Sequence, residues 1–454
     1  MIANAVISVH ALEIRSSIAT TDSYSYIWNP QNFAGFDYDI DLDLGSETLT
    51  TTLTEGNRLS GDYPYGIVYE TRDATGMFRN AQTDMKYGKL RISNIDTTTS
   101  TITLDNKDNA VTLSKNMNTE ILPDIFIRTG DNDTLRYYIY KNITDPGTYE
   151  IRGSVAGTVN GASNLAEGSF TWNPQNFAGF YYDIKKDLGT ETLTTTITDD
   201  NKLSGELPCG VTYTTTSQAK YFEYPYWGSY KVISFMSDRY FAGYIENYED
   251  ADANIFFRES VDENSLTSEQ LEKILVDNNA RMTVKKGESI KLREGYELFL
   301  SGINSDGQIY LELQKNGKIV DESFLAPSKD MATIYDKTYY YRTDVGSQKK
   351  LVTIAVHFKS TYKDEERALA AVDGIWQISD APIDIKAGTQ YGKMNIESID
   401  ATAGVIIMDN KDNQITLAKK TDVALMPGIK LRTANNDTLR FYIYRTETVG
   451  DNSM

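Results

Sequence analysis

Two histidines, His10 and His357, and one cysteine, Cys209, are the whole supply of imidazole and thiol in this chain of 454 residues. A nucleophilic triad needs a base within reach of a nucleophile and a third group to orient the base. His10 lies in the N-terminal segment, and His357 lies in the run Ile354-Ala355-Val356-His357-Phe358, where strand alternation leaves its direction open. A single thiol excludes disulfides within the chain, and so few nitrogen and sulfur ligands exclude most transition-metal sites. Carboxylates are plentiful, with 64 Asp plus Glu, enough to supply a glycosidase-like pair. The acid-rich motifs, however, either recur in both copies of an internal repeat or degrade between them, whereas a catalytic pair is needed once per cleft. No enzymatic function is expected.

Asp37, Asp39, Asp41 and Asp43 alternate along the sequence, so on a strand they would share one face and could collect Ca²⁺ through oxygen ligands. The second copy has Tyr181, Asp183, Lys185 and Asp187 there, so the unit folds without four acids and a solvated face is the favoured reading. Ca²⁺ at these four residues is the one cofactor candidate. The loops Asp131-Asn132-Asp133 and Asn435-Asn436-Asp437 lack the Gly and terminal Glu of a calcium loop and read as turns. Asn132, Asn142 and Asn436 stand in Asn-x-Ser/Thr sequons, and the first and last occupy equivalent places in the two copies, which makes them glycosylation candidates. Trp28, Trp172 and Trp227 could serve as sugar platforms, but packing is the favoured role. At Trp28 and Trp172 the indole stands before an extended Asn-Pro pair and would pin a tight bend onto a sheet.

The elements that position these groups come twice. WNPQNFAGF begins at Trp28 and again at Trp172, 144 positions on, and DLGSETLTTT from Asp43 answers DLGTETLTTT from Asp187 at the same spacing. The spacing then becomes 304: LDNKDN from Leu104 answers MDNKDN from Met408, and NDTLRYYIY from Asn132 answers NDTLRFYIY from Asn436. The jump measures an insertion of 160 residues, about one domain. The expected organisation is 1–11 as a degenerate leader or first strand and 12–149 as an outer module alone. Residues 150–227 with 386–447 form a second outer module, 228–385 an inserted β-sandwich, and 448–454 a tail. Cys209 falls where the first copy has Tyr65, so sulfur is not required there.

Alternating runs rich in Thr and Tyr carry the period of half-buried strands. The expected fold is all-β: tandem β-sandwich-like modules, the second interrupted by an inserted β-sandwich with one short helix. Expected strands include 48–54, 135–140, 338–342 and 351–359, with a hairpin pairing 100–104 to 110–113 across Asn106-Lys107-Asp108-Asn109. Another hairpin joins 296–303 to 308–314, and Asn316-Gly317 makes a type I′ turn after it. Thr267-Ser268-Glu269-Gln270 spells a capping box ahead of Leu271, Ile274 and Leu275, which predicts the short helix. Residues 363–370, rich in Glu, Arg and Ala, are a weaker helical candidate.

Lys plus Arg total 45, so the net charge is −19 and nucleic acid and anionic membranes are disfavoured partners. No apolar run is long enough to span a bilayer as a helix.

The segments WNPQNFAGFYYDI, FEYPYWGSYKVISFMSDRYFAG, KKGESIKLREGYEL, YGKMNIESID and TANNDTLRFYIY, in this order, resemble the duplication domain of surface-layer proteins from methanogenic archaea. The resemblance covers nearly all of 150–447 and, in pieces, 12–149. It implies two linked β-sandwich-like subdomains per full repeat, secretion, glycosylation, and side-by-side assembly into a porous acidic coat, either with itself or with full-length homologues. It also leads one to expect a signal peptide, a second full repeat, a Thr-rich stalk and a C-terminal membrane helix. The chain departs from that pattern, as a truncated paralogue, an accessory subunit held by its neighbours, or a gene fragment would. An adhesin or carbohydrate-binding protein built from the same modules is the alternative.

Overall fold

The structure, a computed structural model, describes residues 11–61, 63–72, 81–198, 201–245 and 265–450. Nearly every regular element is an antiparallel strand. The chain divides into two compact units, one comprising 1–214, 390–395 and 408–454, the other 215–389 and 396–407.

The two copies build closely matching sheets. In the first copy a six-stranded sheet runs in the order Ser25–Trp28, Glu47–Thr52, Gly66–Arg72, Thr101–Asp105, Leu90–Asp96, Lys86–Tyr87. In the second the order is Ser169–Trp172, Glu191–Thr196, Gly210–Thr216, Val405–Asp409, Met394–Asp400, Gln390–Tyr391, the equivalent strands in the same sequence. A second sheet centres on Arg136–Ile143 in the first copy and on Arg440–Val449 in the second. In the first copy, Trp28, Leu49 and Ile67 of one sheet pack with Ile127, Tyr137 and Ile139 of the other, all fully buried. Alternation puts these apolar side chains on one face and Thr48, Thr50 and Thr52 on the other, while Thr51 is buried beside Leu49 and shares a hydrogen bond with the Tyr137 hydroxyl.

The hairpin expected across Asn106–Asn109 does not form. Thr101–Asp105 pairs with Gly66–Arg72 and Leu90–Asp96, while Val111–Thr112 leaves the sheet to pair with Arg58–Leu59. The cause is Asn106, which is buried and acts as a three-way tie. Its Oδ1 accepts from Ile67 N at 2.8 Å, and its Nδ2 donates to the carbonyls of Leu59 and Asn109. Asn410 repeats this with Val211, Leu203 and Asn413. Gly66 and Gly210 sit opposite with φ of 84° and 80°, and a Cβ on either would lie within 2.5 Å of the asparagine oxygen.

In the second unit, Gln218–Tyr221 starts a sheet that continues through Ser229–Phe235, Asp238–Ile245, Gln270–Asn278, Ala368–Ile378 and Gln348–Lys363 to Thr338–Val345. A four-stranded meander, Ser289–Lys291, Tyr296–Ile303, Ile309–Lys315 and Lys318–Leu325, packs on it, with Leu298, Leu300, Leu311 and Leu313 against Ile354, Val356, Phe358 and Val372. Asn316 and Gly317 both have positive φ, as a type I′ turn requires.

Both helical expectations are corrected. Residues 267–269 form a turn, with Glu269 at φ 54°, and Gln270–Asn278 is a strand. Leu271 and Glu272 are both buried, and a bulge lies between Ile274 and Val276, so a strand buried on both faces imitated helical spacing. Residues 363–370 are the end of one strand and the start of the next, joined by a turn at 364–367 in which Asp364 Oδ1 accepts from Glu366 N and Arg367 N. Helical segments among the described residues include the single α-turn Ile334–Lys337, capped by Thr333 and Asp336, and the 3₁₀ turn Pro225–Trp227.

Candidate functional site: the interface between the two copies

The tetrapeptides Arg15-Ser16-Ser17-Ile18 and Arg152-Gly153-Ser154-Val155 follow the first strand of each copy, and each crosses to the WNPQNFAGF loop of the other. Ile18 N donates to the carbonyl of Gln175, and Val155 N to that of Gln31, both at 2.9 Å. Arg15 donates to the carbonyls of Phe177 and Phe180; Arg152 donates to those of Phe33 and Phe36. Arg15 also lies over the ring of Tyr182 and Arg152 over that of Tyr38, at 5.3 and 5.1 Å. Each of these contacts has its exchange partner, so this part of the interface is isologous, a two-fold relationship built inside one polypeptide. Each guanidinium is held by carbonyl dipoles and ring faces. Burial pushes both down to about 10, which still leaves them cationic at neutral pH.

The tryptophans set the loops. Trp28 and Trp172 are 0 % exposed, and their indole N–H groups donate to the carbonyls of Ser17 and Ser154 at 2.8 and 2.7 Å. Each thus ties its own loop to the tetrapeptide that reaches across. Trp227 is buried as well, so none of the three indoles presents a face to a sugar.

Residues 37–43 do not form the strand face that would align four acids. Residues 40–43 are a turn closed by an Asp39–Leu44 bridge, with Asp43 at φ 56°. Asp39 Oδ1 accepts from Asp41 N and Leu42 N, which caps the turn; Asp37 is exposed. Asp41 and Asp43 reach the other copy: Asp41 Oδ1 accepts from Asn435 N at 2.6 Å, and Asp43 takes the Tyr38 hydroxyl on one oxygen and Asn160 N on the other. Asn436 Nδ2 and Arg440 donate to the Asp41 carbonyl. Here the two-fold match fails, because Lys185 stands in place of Asp41, and Arg136 instead forms an ion pair with Asp187 at 3.1 Å. No group of three or more His, Cys, Asp or Glu suited to a metal ion occurs among the described residues.

Of the sequon asparagines, Asn132 and Asn436 are exposed, and Asn142 is half-buried in Arg136–Ile143. Cys209 is half-buried. His10 lies outside the described residues. His357 is 5 % exposed; its Nδ1 lies 2.6 Å from Asp373 Oδ1 and its Nε2 2.9 Å from the Tyr224 hydroxyl. Both ring nitrogens are therefore occupied by a carboxylate and a phenol. Burial lowers its pKa, opposed by Asp373, which favours the neutral ring donating from Nδ1 and accepting at Nε2.

Sequence reading missed the arginines. The signal was present, since DTLR recurs at 133–136 and 437–440, and an Arg precedes each Ser-Ile or Ser-Val pair, but only the fold brings them to a partner.

A paired module of this kind, built of strands with loops that meet across the two copies, defines the class as an all-β repeat protein. A family model described as S-layer protein matches residues 162–435, and the chain belongs to that family. Among curated proteins it is similar to a major S-layer protein of Methanosarcina mazei, 28 % identical over 378 residues, covering 81 % of this chain and 50 % of that one. A major S-layer protein of Methanosarcina acetivorans is 29 % identical over 389 residues, covering 82 % and 52 %. The chain spans about half the length of the curated relatives it matches.

Proposed function

We propose that this protein is a structural subunit of an archaeal cell-surface coat that works by shape and edge contact, assembling side by side with copies of itself or with longer homologues. The family membership carries this reading, and the isologous pairing of the two copies supports it, because surfaces of this module are already suited to bind their own kind. A net charge of −19 would give the openings between subunits a cation-attracting field. In this reading residues 228–385 are a self-contained body spliced into the second outer module, exposed Asn132 and Asn436 are the favoured glycan carriers over Asn142, and no reaction is assigned. Divalent cations such as Ca²⁺ act by bridging acidic surfaces between subunits.

Sedimentation of the purified chain over a range of concentrations, with and without Ca²⁺, tests the proposal. Association that grows with concentration and cation is expected. A monomer under every condition would count against it.

A further inference from the structure

In a chain where acids outnumber bases, one cleft in the second unit collects cations. Arg281, Lys337 and Lys359 line an open cavity of about 570 Å³ together with Tyr224, Tyr226 and Thr333. None of the three cations has a carboxylate within ion-pair distance among the described residues. The nearby acid, Asp373, is already bonded to His357.

The wall is built. Asp373 is the extra residue of a β-bulge, since His357 pairs with Gly374 and Phe358 with Val372, and the bulge turns Asp373 onto the imidazole. Gly374 leaves room for Tyr224: a Cβ there would lie 2.9 Å from its Cγ. Tyr224 stacks on His357 at 4.2 Å and meets Tyr226 at 5.4 Å. Tyr226 itself is 69 % exposed. The fold thus holds one tyrosine against His357 and offers a second, beside three cations that have no carboxylate partner among the described residues.

We propose that this cleft binds a saccharide bearing uronate carboxylates. The carboxylates would pair with Arg281, Lys337 and Lys359, and a sugar ring would lie on the exposed face of Tyr226. Arg281 can grip a carboxylate with two parallel N–H bonds, while the lysines act as point charges. A concave site with an aromatic wall and a few convergent polar groups suits a small organic anion. A bare inorganic anion would make no use of Tyr226, and nucleic acid is opposed by the overall charge.

The test is titration calorimetry of the full chain with trigalacturonate, with neutral galactotriose, and with inorganic phosphate at matched ionic strength, alongside Tyr226→Ala, Arg281→Gln and Lys359→Gln. These three side chains lie at the surface or the cleft mouth, so melting temperatures serve as the folding control. Saturable binding of trigalacturonate alone, weakened roughly tenfold by Arg281→Gln and by Tyr226→Ala, supports the site. Absence of binding overturns it. So does binding that phosphate reproduces and Tyr226→Ala leaves unchanged, which would mark a simple anion patch. Loss of self-association in the charge variants without any saccharide binding also overturns it, and would assign the cleft to an acidic segment of a neighbouring copy.

Discussion

Arg152 donates to the carbonyl of Phe36 at 3.1 Å, and Arg15 donates to the carbonyl of Phe180, the equivalent residue of the other copy. Each copy of the repeat thus holds the other's loop closed. The interface between copies is part of the fold of each.

Truncating either arginine should therefore destabilise the first unit. Hydrogen bonds to a charged group are each worth about 1.5–3 kcal/mol, and Arg152→Ala should cost an amount in that range. Arg152→Lys should restore only part of it, because an ammonium can serve the two carbonyls that a single guanidinium nitrogen now serves but cannot lay a planar group over Tyr38. Urea unfolding of both variants checks this; full rescue by lysine would reduce the role to charge alone.

Asn106→Ala and Asn410→Ala should lower stability by similar amounts, about 2–3 kcal/mol each, because each strands buried backbone groups. Gly210→Ala should behave like Asn410→Ala and add little to it, since both break the same tie. Denaturation midpoints of the single and double variants decide, and full additivity would contradict a shared cause.

Trp172→Ala should destabilise by about 3–5 kcal/mol, the usual cost of emptying a large aromatic site. In the surviving folded fraction it should leave any saccharide binding unchanged. Sugar binding lost at full stability would instead restore the indole as a platform.

For His357 the folded pKa lies below the ordinary value, so the unfolded chain binds more protons between the two. Stability from this group is then complete above about pH 6.5 and is lost as pH falls through the lowered folded value. His357→Gln should flatten that part of the stability profile between pH 7.5 and 5. Matching slopes in the two proteins would remove His357 as the cause.

The turn at 37–43 should not need Ca²⁺, because Asp39, Asp41 and Asp43 already accept hydrogen bonds. Chelation should leave the melting of the first unit unchanged. Asp41→Asn, which keeps an acceptor for Asn435 N, should be milder than Asp41→Ala.

Much of this was legible in the chain itself. The repeat spacing anticipated the matched sheets, and alternation anticipated most strands, because one buried face forces a period of two. Gln270–Asn278 was misread because burial on both faces erases that period. The hairpin at Asn106 was misread because a turn-forming asparagine there spends its side chain on distant backbone. The arginines at the interface were invisible for a different reason: their partners lie 116 residues or more away, at sequence separations of 162 and 165 for Arg15 and 119 and 116 for Arg152, and carbonyl acceptors leave no mark in sequence.

The most direct test of the structural role is electron imaging of the purified, folded chain, concentrated on a flat support with Ca²⁺. Ordered two-dimensional arrays with regular openings are expected. Dispersed single particles under every cation condition, or binding only to a soluble ligand with no ordered contact between copies, would contradict it.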